Sequence, residues 1–315
     1  ISANGRWLAS VSNDNTARLW DLQSDDPASN SLLLPGHQNI VGHLAFSPDN
    51  RWLVTASADT TARLWNLAAH NPAEAPIILR GHEGSVNSVA FSPDNTWLAT
   101  GGNDDQVRLW PLTSEDISAN SVILYAHEDI VYEVAFSPDG HWLASVSEDG
   151  TLRLWDFAAM DISTAPLLLA QRAGPIFDLA FSDNGRWLAT ANADTTIGLW
   201  DLKQPARPLV AEFVGHTASV KAVTFDPQGR WLISASDDAT IRLWSLLPLP
   251  QPEAAHTLYA HDAAAQTVAV SPDGAWLTSG AHDGMSQLWQ LSWLQPKAPI
   301  ILPAHLPGLL LTTFV

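Results

Sequence analysis

Apolar and polar positions follow one another along this chain in short bursts, each bounded by clusters of Asp, Asn, Gly, Ser and Pro. The stretch VNSVAFSPDNTWLATGGNDDQVRLW, residues 86–110, shows the unit. An apolar segment closes on a Pro-Asp turn, TWLAT follows, and QVRLW comes after an Asp-bearing turn. PIILRGH, residues 76–82, supplies a fourth segment of the same kind. β-Branched and aromatic residues between closely spaced turn signals predict strands, and no apolar face recurs at helical spacing.

The bursts repeat. Leu-Trp recurs with Trp at 20, 65, 110, 155, 200, 244 and 289, at intervals of 45, 45, 45, 45, 44 and 45. A second Trp sits in RWLAS-like segments at 7, 52, 97, 142, 187, 231 and 276, leaving only Trp293 of the 15 outside the pattern. Four short strands per period of about 45 residues predict the blade of a β-propeller. On these residues the chain resembles the WD-repeat family. Gly-His stands at 36–37, 81–82 and 215–216, SPDN or SPDG turns recur, and LWD occupies 19–21, 154–156 and 199–201. Gly-His becomes Ala-His at 126–127, 260–261 and 304–305, and Gln171-Arg172 in the fifth copy. The resemblance covers the whole chain and implies an all-β, seven-bladed propeller of four-stranded antiparallel blades, a single domain over residues 1–315.

The same arithmetic places the two ends. The repeat His precedes the Phe that ends the first strand by nine residues in His37–Phe46, His82–Phe91, His127–Phe136 and His216–Phe225, and again in His305–Phe314. Residues 308–315 therefore read as a first strand without its three successors, and residues 5–36 as a blade without its first strand. The expectation is that the two complete one blade and close the ring, burying about four apolar side chains worth about 6–12 kcal/mol together. The chain opens on Ile1 rather than Met, so it is expected to be excised from a longer protein.

Ser, His and Asp recur together, which invites a hydrolase reading. The sets are His37/Ser57/Asp59/Trp65, His127/Ser147/Asp149/Trp155, His216/Ser236/Asp238/Trp244 and, across the expected closure, His305/Ser12/Asp14/Trp20. A catalytic constellation occurs once, whereas this one recurs in most repeats, and a buried indole N–H and carboxylate both need partners. The set reads as scaffold, as the resemblance also implies, and no catalytic residue is assigned. The fifth repeat, with Arg172 and Asn192 in place of His and Ser, is expected to be pinned least firmly.

Charge and composition narrow the partners. The net charge of −18 disfavours nucleic acid and anionic membrane surfaces. Nine of the 15 Lys and Arg residues recur at fixed strand positions before Leu-Trp or the second-strand Trp, leaving no cluster for phosphate. There is no Cys, and the remaining His residues show no metal-ligand spacing, so neither metal nor cofactor is expected. No apolar run is long enough to span a bilayer, and the cytoplasm is the compartment expected. The resemblance implies that three positions per blade face a partner: three and five residues after the repeat His, and the residue before the turn Asp. Ile130, Tyr132, Pro175 and Phe177 fall at such positions on adjacent blades and are expected to form an apolar patch edged by Glu148 and Lys221. The reading is a non-catalytic interaction or sensor module for a protein or peptide, resembling propellers that regulate an attached effector in large bacterial signalling proteins. A general assembly scaffold is the alternative, and a propeller enzyme with a channel active site stands third.

Overall fold

The computed structural model describes residues 1–26, 29–157, 165–203, 209–247, 250, 255–291 and 299–303. Its described residues form seven sheets, each built from strands consecutive in sequence, and contain no helix. The first sheet has three described strands, Trp7–Val11, Ala17–Asp21 and Ser31–Leu34. The second is Val41–Phe46, Trp52–Ser57, Thr61–Asn66 and Ile77–Arg80; the third is Val86–Phe91, Trp97–Gly102, Gln106–Pro111 and Val122–Tyr125. The fourth is Val131–Phe136, Trp142–Ser147, Thr151–Asp156 and Leu167–Gln171; the fifth is Ile176–Phe181, Trp187–Asn192, Ile197–Asp201 and Leu209–Phe213. The sixth is Val220–Phe225, Trp231–Ser236, Thr240–Ser245 and Ala255–Tyr259; the seventh is Ala265–Val270, Trp276–Ala281, Met285–Gln290 and Ile300–Pro303. This is the seven-bladed, all-β propeller class that the repeat predicts. Residues 308–315, expected to complete the first sheet, lie outside the described residues, as does His305.

Two compact units divide the chain: residues 1–147 with 153–167, and residues 148–152 with 168–315. Within each, successive sheets bury their faces against one another, and the two tryptophans of a repeat serve opposite faces. Trp110 of the third sheet is fully buried with Val54, Leu64 and Leu79 of the second, whereas Trp97 packs with Val131, Val134 and Phe136 of the fourth. In the second unit Trp244 of the sixth sheet packs with Ala191, Leu199 and Phe213 of the fifth, while Trp231 packs toward Leu277 and Trp289 of the seventh. That is why a repeat needs both indoles. Truncating one such fully buried Trp to Ala costs roughly 3–5 kcal/mol.

The turns follow from their residues. In Ser47-Pro48-Asp49-Asn50, the Asn50 N–H returns to Ser47 O at 2.9 Å and Asn50 takes φ 59°. The Ser47 hydroxyl donates to Asp49 at 2.5 Å and accepts the Trp52 N–H at 2.8 Å, fixing the entry to the second strand. Gly36 of the Gly-His pair has φ +123°, and a Cβ there would stand 2.5 Å from the Arg63 guanidinium. Arg63 in turn donates to Gly36 O at 2.7 Å, so the Gly of one motif and the Arg of RLW are one joint.

Candidate interaction face and its scaffold

The recurring polar set lies inside the sheets. In the second sheet His37 Nδ1 is 2.8 Å from Asp59 Oδ2, His37 Nε2 is 2.9 Å from Thr55 Oγ1, and Trp65 Nε1 donates to the same hydroxyl at 3.0 Å. The network closes when Nδ1 carries the proton: the indole donates to the hydroxyl, the hydroxyl to Nε2, and Nδ1 to the carboxylate. His216, Ser234, Trp244 and Asp238 repeat it in the sixth sheet at 2.8, 3.0 and 2.8 Å. Burial holds His37 and His216 below the ordinary imidazole value despite their carboxylate neighbours, which keeps both neutral. Burial works to raise Asp59 and Asp238, but hydrogen bonds from Thr61 or Thr240, a backbone N–H and the His outweigh it and bring both to about 2.

The hydroxyl that meets His Nε2 therefore belongs to Thr55, Thr100, Ser145, Ser234 or Ser279, two residues before the position at which the sequence pattern placed it. Thr55, Thr100 and Ser234 also accept the indole N–H, whereas the buried Trp289 N–H of the seventh sheet has no partner. Ser57 and Ser236 do another job: each accepts the N–H of the turn Asp and donates to a carbonyl, Asn39 O or Ala218 O. Ser147 likewise donates to Asp129 O at 3.0 Å, while the His127 ring meets Trp155 edge-on at 6.3 Å. In the first sheet Ser12 accepts the Asp14 N–H at 3.2 Å, and Trp20 is half-buried. Thr151 donates its hydroxyl to Asp149 at 2.6 Å.

The fifth sheet is built differently. Arg172 donates to Asp194 at 2.7 Å, to Thr196 at 3.1 Å and to Glu212 of the fourth strand at 2.8 Å. Thr190 turns its hydroxyl to Asn192, and the buried Trp200 N–H is left without a partner. Gly198 replaces the Arg of RLW, and the Trp200 ring lies where its side chain would begin.

One of the three positions expected to face a partner coincides with a repeated irregularity in the sheets. In the second to seventh sheets the pairing of first and second strands slips by one residue, between Val41/His43, Val86/Ser88, Val131/Glu133, Ile176/Asp178, Val220/Ala222 and Ala265/Thr267. The residue skipped is the one five after the repeat His: Gly42, Asn87, Tyr132, Phe177, Lys221 or Gln266. A bulge of this kind leaves its residue unpaired and re-aims the side chain. The other two positions are tied by backbone, as the residue before the turn Asp donates its N–H to the one three after the His. Asp237 to Ser219 O at 2.9 Å, Asn103 to Ser85 O at 2.8 Å and Ala193 to Pro175 O at 2.9 Å are examples.

These positions join across sheets within each unit. In the second unit the Lys221 ammonium lies 3.6 Å from the centroid of Phe177 and 3.4 Å from Asp237 Oδ2, and Gln266 donates to Asp237 Oδ1 at 3.0 Å. In the first unit Asn87 donates to Asn103 at 2.6 Å and to Val131 O at 3.0 Å. Ile130, Tyr132, Glu148, Pro175, Phe177 and Lys221 are all half-buried, whereas Ile40 is exposed.

The next residue along, six after the repeat His, carries chemistry that the sequence reading passed over. In the first unit Ser88 donates to Glu133 Oε1 at 2.8 Å and accepts the Val134 N–H at 3.1 Å, while His43 Nε2 stands 3.9 Å from Glu133 Oε2. Burial lowers His43 to about 4. In the second unit Asp178 accepts the Val223 N–H of the next sheet and the Leu179 N–H, both at 2.8 Å, yet burial raises it to about 7. Reading the register column His43, Ser88, Glu133, Asp178 would have found these groups. With its proton and lone pair both engaged, Ser88 is a tie between sheets rather than an activated nucleophile. Tyr125 and Tyr259, ending fourth strands, are 75% and 86% exposed.

Among the described residues no three His, Asp or Glu side chains converge as metal ligands, and no helix is long and apolar enough to cross a membrane. The profile of the WD domain, G-beta repeat, matches residues 1–21, 29–66, 75–111, 119–156, 168–201, 207–245 and 253–290. No curated protein matches the chain.

Proposed function

The chain belongs to the WD-repeat family, and from that membership we propose that it binds a protein or peptide through the bulge residues of its sheets and the two positions tied beside each. Propellers of this family typically mediate protein–protein interaction or scaffolding. The proposed contacts are Ile130 and Tyr132 in the first unit, and Glu148, Pro175, Phe177 and Lys221 in the second. One observation carries the reading: in three successive sheets Phe177 meets the Lys221 ammonium, and Lys221 and Gln266 both meet Asp237. A polar and aromatic surface shared by separate sheets suits recognition, and aromatic anchors dominate such interfaces.

The finer role we assign is sensing: partner binding regulates an effector domain attached to the same parent chain, as in large bacterial signalling proteins. The experiment selects peptides from a displayed random library against the intact chain, then measures their affinity for Tyr132→Ala and Phe177→Ala chains. The reading expects at least a tenfold loss with a melting midpoint changed by only a few degrees. Selected peptides that bind the double variant as well as the original contradict it.

A further inference from the structure

The linked side chains of the second unit have the make-up of a cation receptor that holds one of the protein's own cations. An aromatic face and a carboxylate together attract an ammonium or guanidinium group. Phe177 supplies the face and Asp237 the carboxylate, which Gln266 holds by donating to its second oxygen. Lys221 caps both, at 3.6 Å from the ring centroid and 3.4 Å from Asp237 Oδ2, with its side chain only 22% exposed.

Lys221 is poorly suited to keep that place. Lysine gives up rotamer freedom when its chain is fixed. A part-exposed ion pair and a cation–π contact at such a site each return only a small gain. The contact is near balance, and releasing the lysine restores its freedom. An arginine from outside fits better, because its planar fork can meet both oxygens of a carboxylate while stacking on a ring, and it is more weakly hydrated.

Charge favours such a visitor. The chain carries −18, and several of its own cations are turned inward or paired: Arg63 on Gly36 O, Arg172 on Asp194 and Glu212, Arg186 on Asp201. The surplus of acid draws basic segments toward the molecule.

We propose that Phe177 and Asp237 form an arginine subsite capped by Lys221, and that the partner is a protein segment whose arginine displaces the lysine. The inference rests on the displayed positions being the docking face, and names what docks there. The test titrates the full-length chain with Nα-acetyl-arginine methylamide, and with the matching citrulline compound, following amide and lysine ammonium signals by NMR. In the unmodified chain the arginine probe is expected to shift the Lys221 ammonium signal, and the citrulline probe to leave it unmoved. Lys221→Met is expected to tighten arginine binding at least tenfold, and adding Phe177→Leu or Asp237→Asn to remove that gain. An unmoved Lys221 signal at saturating arginine, equal response to citrulline, or a Lys221→Met chain that binds arginine no better overturns the proposal. The probe is a single blocked residue, so this result stands apart from the peptide selection. Selected peptides indifferent to Phe177→Ala would defeat the docking reading and leave the arginine titration to decide the subsite alone.

Discussion

Asp194 and Asp238 hold the same place in the fifth and sixth sheets, in different surroundings. The Asp238 side chain is 6% exposed and pairs with a fully buried His216; Asp194 is 43% exposed and pairs with Arg172. Removing one member of a buried pair strands the other, at roughly 2–4 kcal/mol, whereas a surface pair is worth up to about 1 kcal/mol. Denaturant melts of Asp238→Ala and Asp194→Ala should differ accordingly, and equal losses would contradict the account. Proton linkage separates the same groups. Asp59 and Asp238, ordinarily near 3.8, sit at about 2 when folded, so the stability they lend is present above pH 4 and is lost as pH falls through 2. His43, held at about 4, lends stability that is present above its ordinary 6.5 and lost as pH falls toward 4. Asp178, raised to about 7, acts the other way: the folded chain holds its proton more tightly, so its contribution is lost as pH rises from 3.8 through 7. Carboxyl carbon-13 titration should show Asp178 ionising near neutrality while Asp238 stays ionised below pH 3. The reverse order would undo the assignment. His, Asp and Trp of the set were legible in the repeat spacing, but the bridging hydroxyl was not. Thr55 and Ser57 share one face of a strand, and only the pairing of Leu53 opposite Trp65 brings Thr55 within reach of the indole.

At the scale of strands and turns, the residue after each turn Asp has positive φ in every sheet: Asn15, Thr60, Asp105, Gly150, Thr195, Ala239 and Gly284. Glycine meets that demand in the fourth and seventh sheets, but Thr60, at φ 69°, meets it against its branched Cβ. The left-handed conformation costs a non-glycine residue about 1–2 kcal/mol, and glycine returns part of this through its freer unfolded chain. Thr60→Gly is expected to raise the melting midpoint by a few degrees; a fall would show that Thr60 is held by contacts worth more than its strain. Strands and turns were legible because two tryptophans and two Asp turns recur in fixed register. The bulges were not. A one-residue slip leaves the alternation of apolar and polar residues almost intact, so Phe177 and Lys221 could be placed by family register but not shown to escape the ladder. The joint of Gly36 with Arg63 likewise has no sequence sign, except that Gln171 and Gly198 depart together in the fifth sheet, and Ala260 and Gln287 in the seventh.

For the molecule as a whole, a sheet is held by burial against its sequence neighbours, as within each unit, and by the pairing of its own strands. The first sheet has three described strands, and Trp7–Val11 lies at its edge. Repeat spacing assigns residues 308–315 to that edge, and we propose that they complete the sheet; an unfilled edge strand is a template for pairing with another chain. The interaction reading depends on this, because bulge-displayed side chains keep their places only in sheets that hold together. Amide hydrogen exchange over Trp7–Val11, compared between the full chain and one lacking residues 308–315, tests it most directly. The account predicts slow exchange in the full chain, and a rise of at least tenfold with a lower melting midpoint in the shortened one. Equal exchange and equal midpoints in the two chains would contradict it.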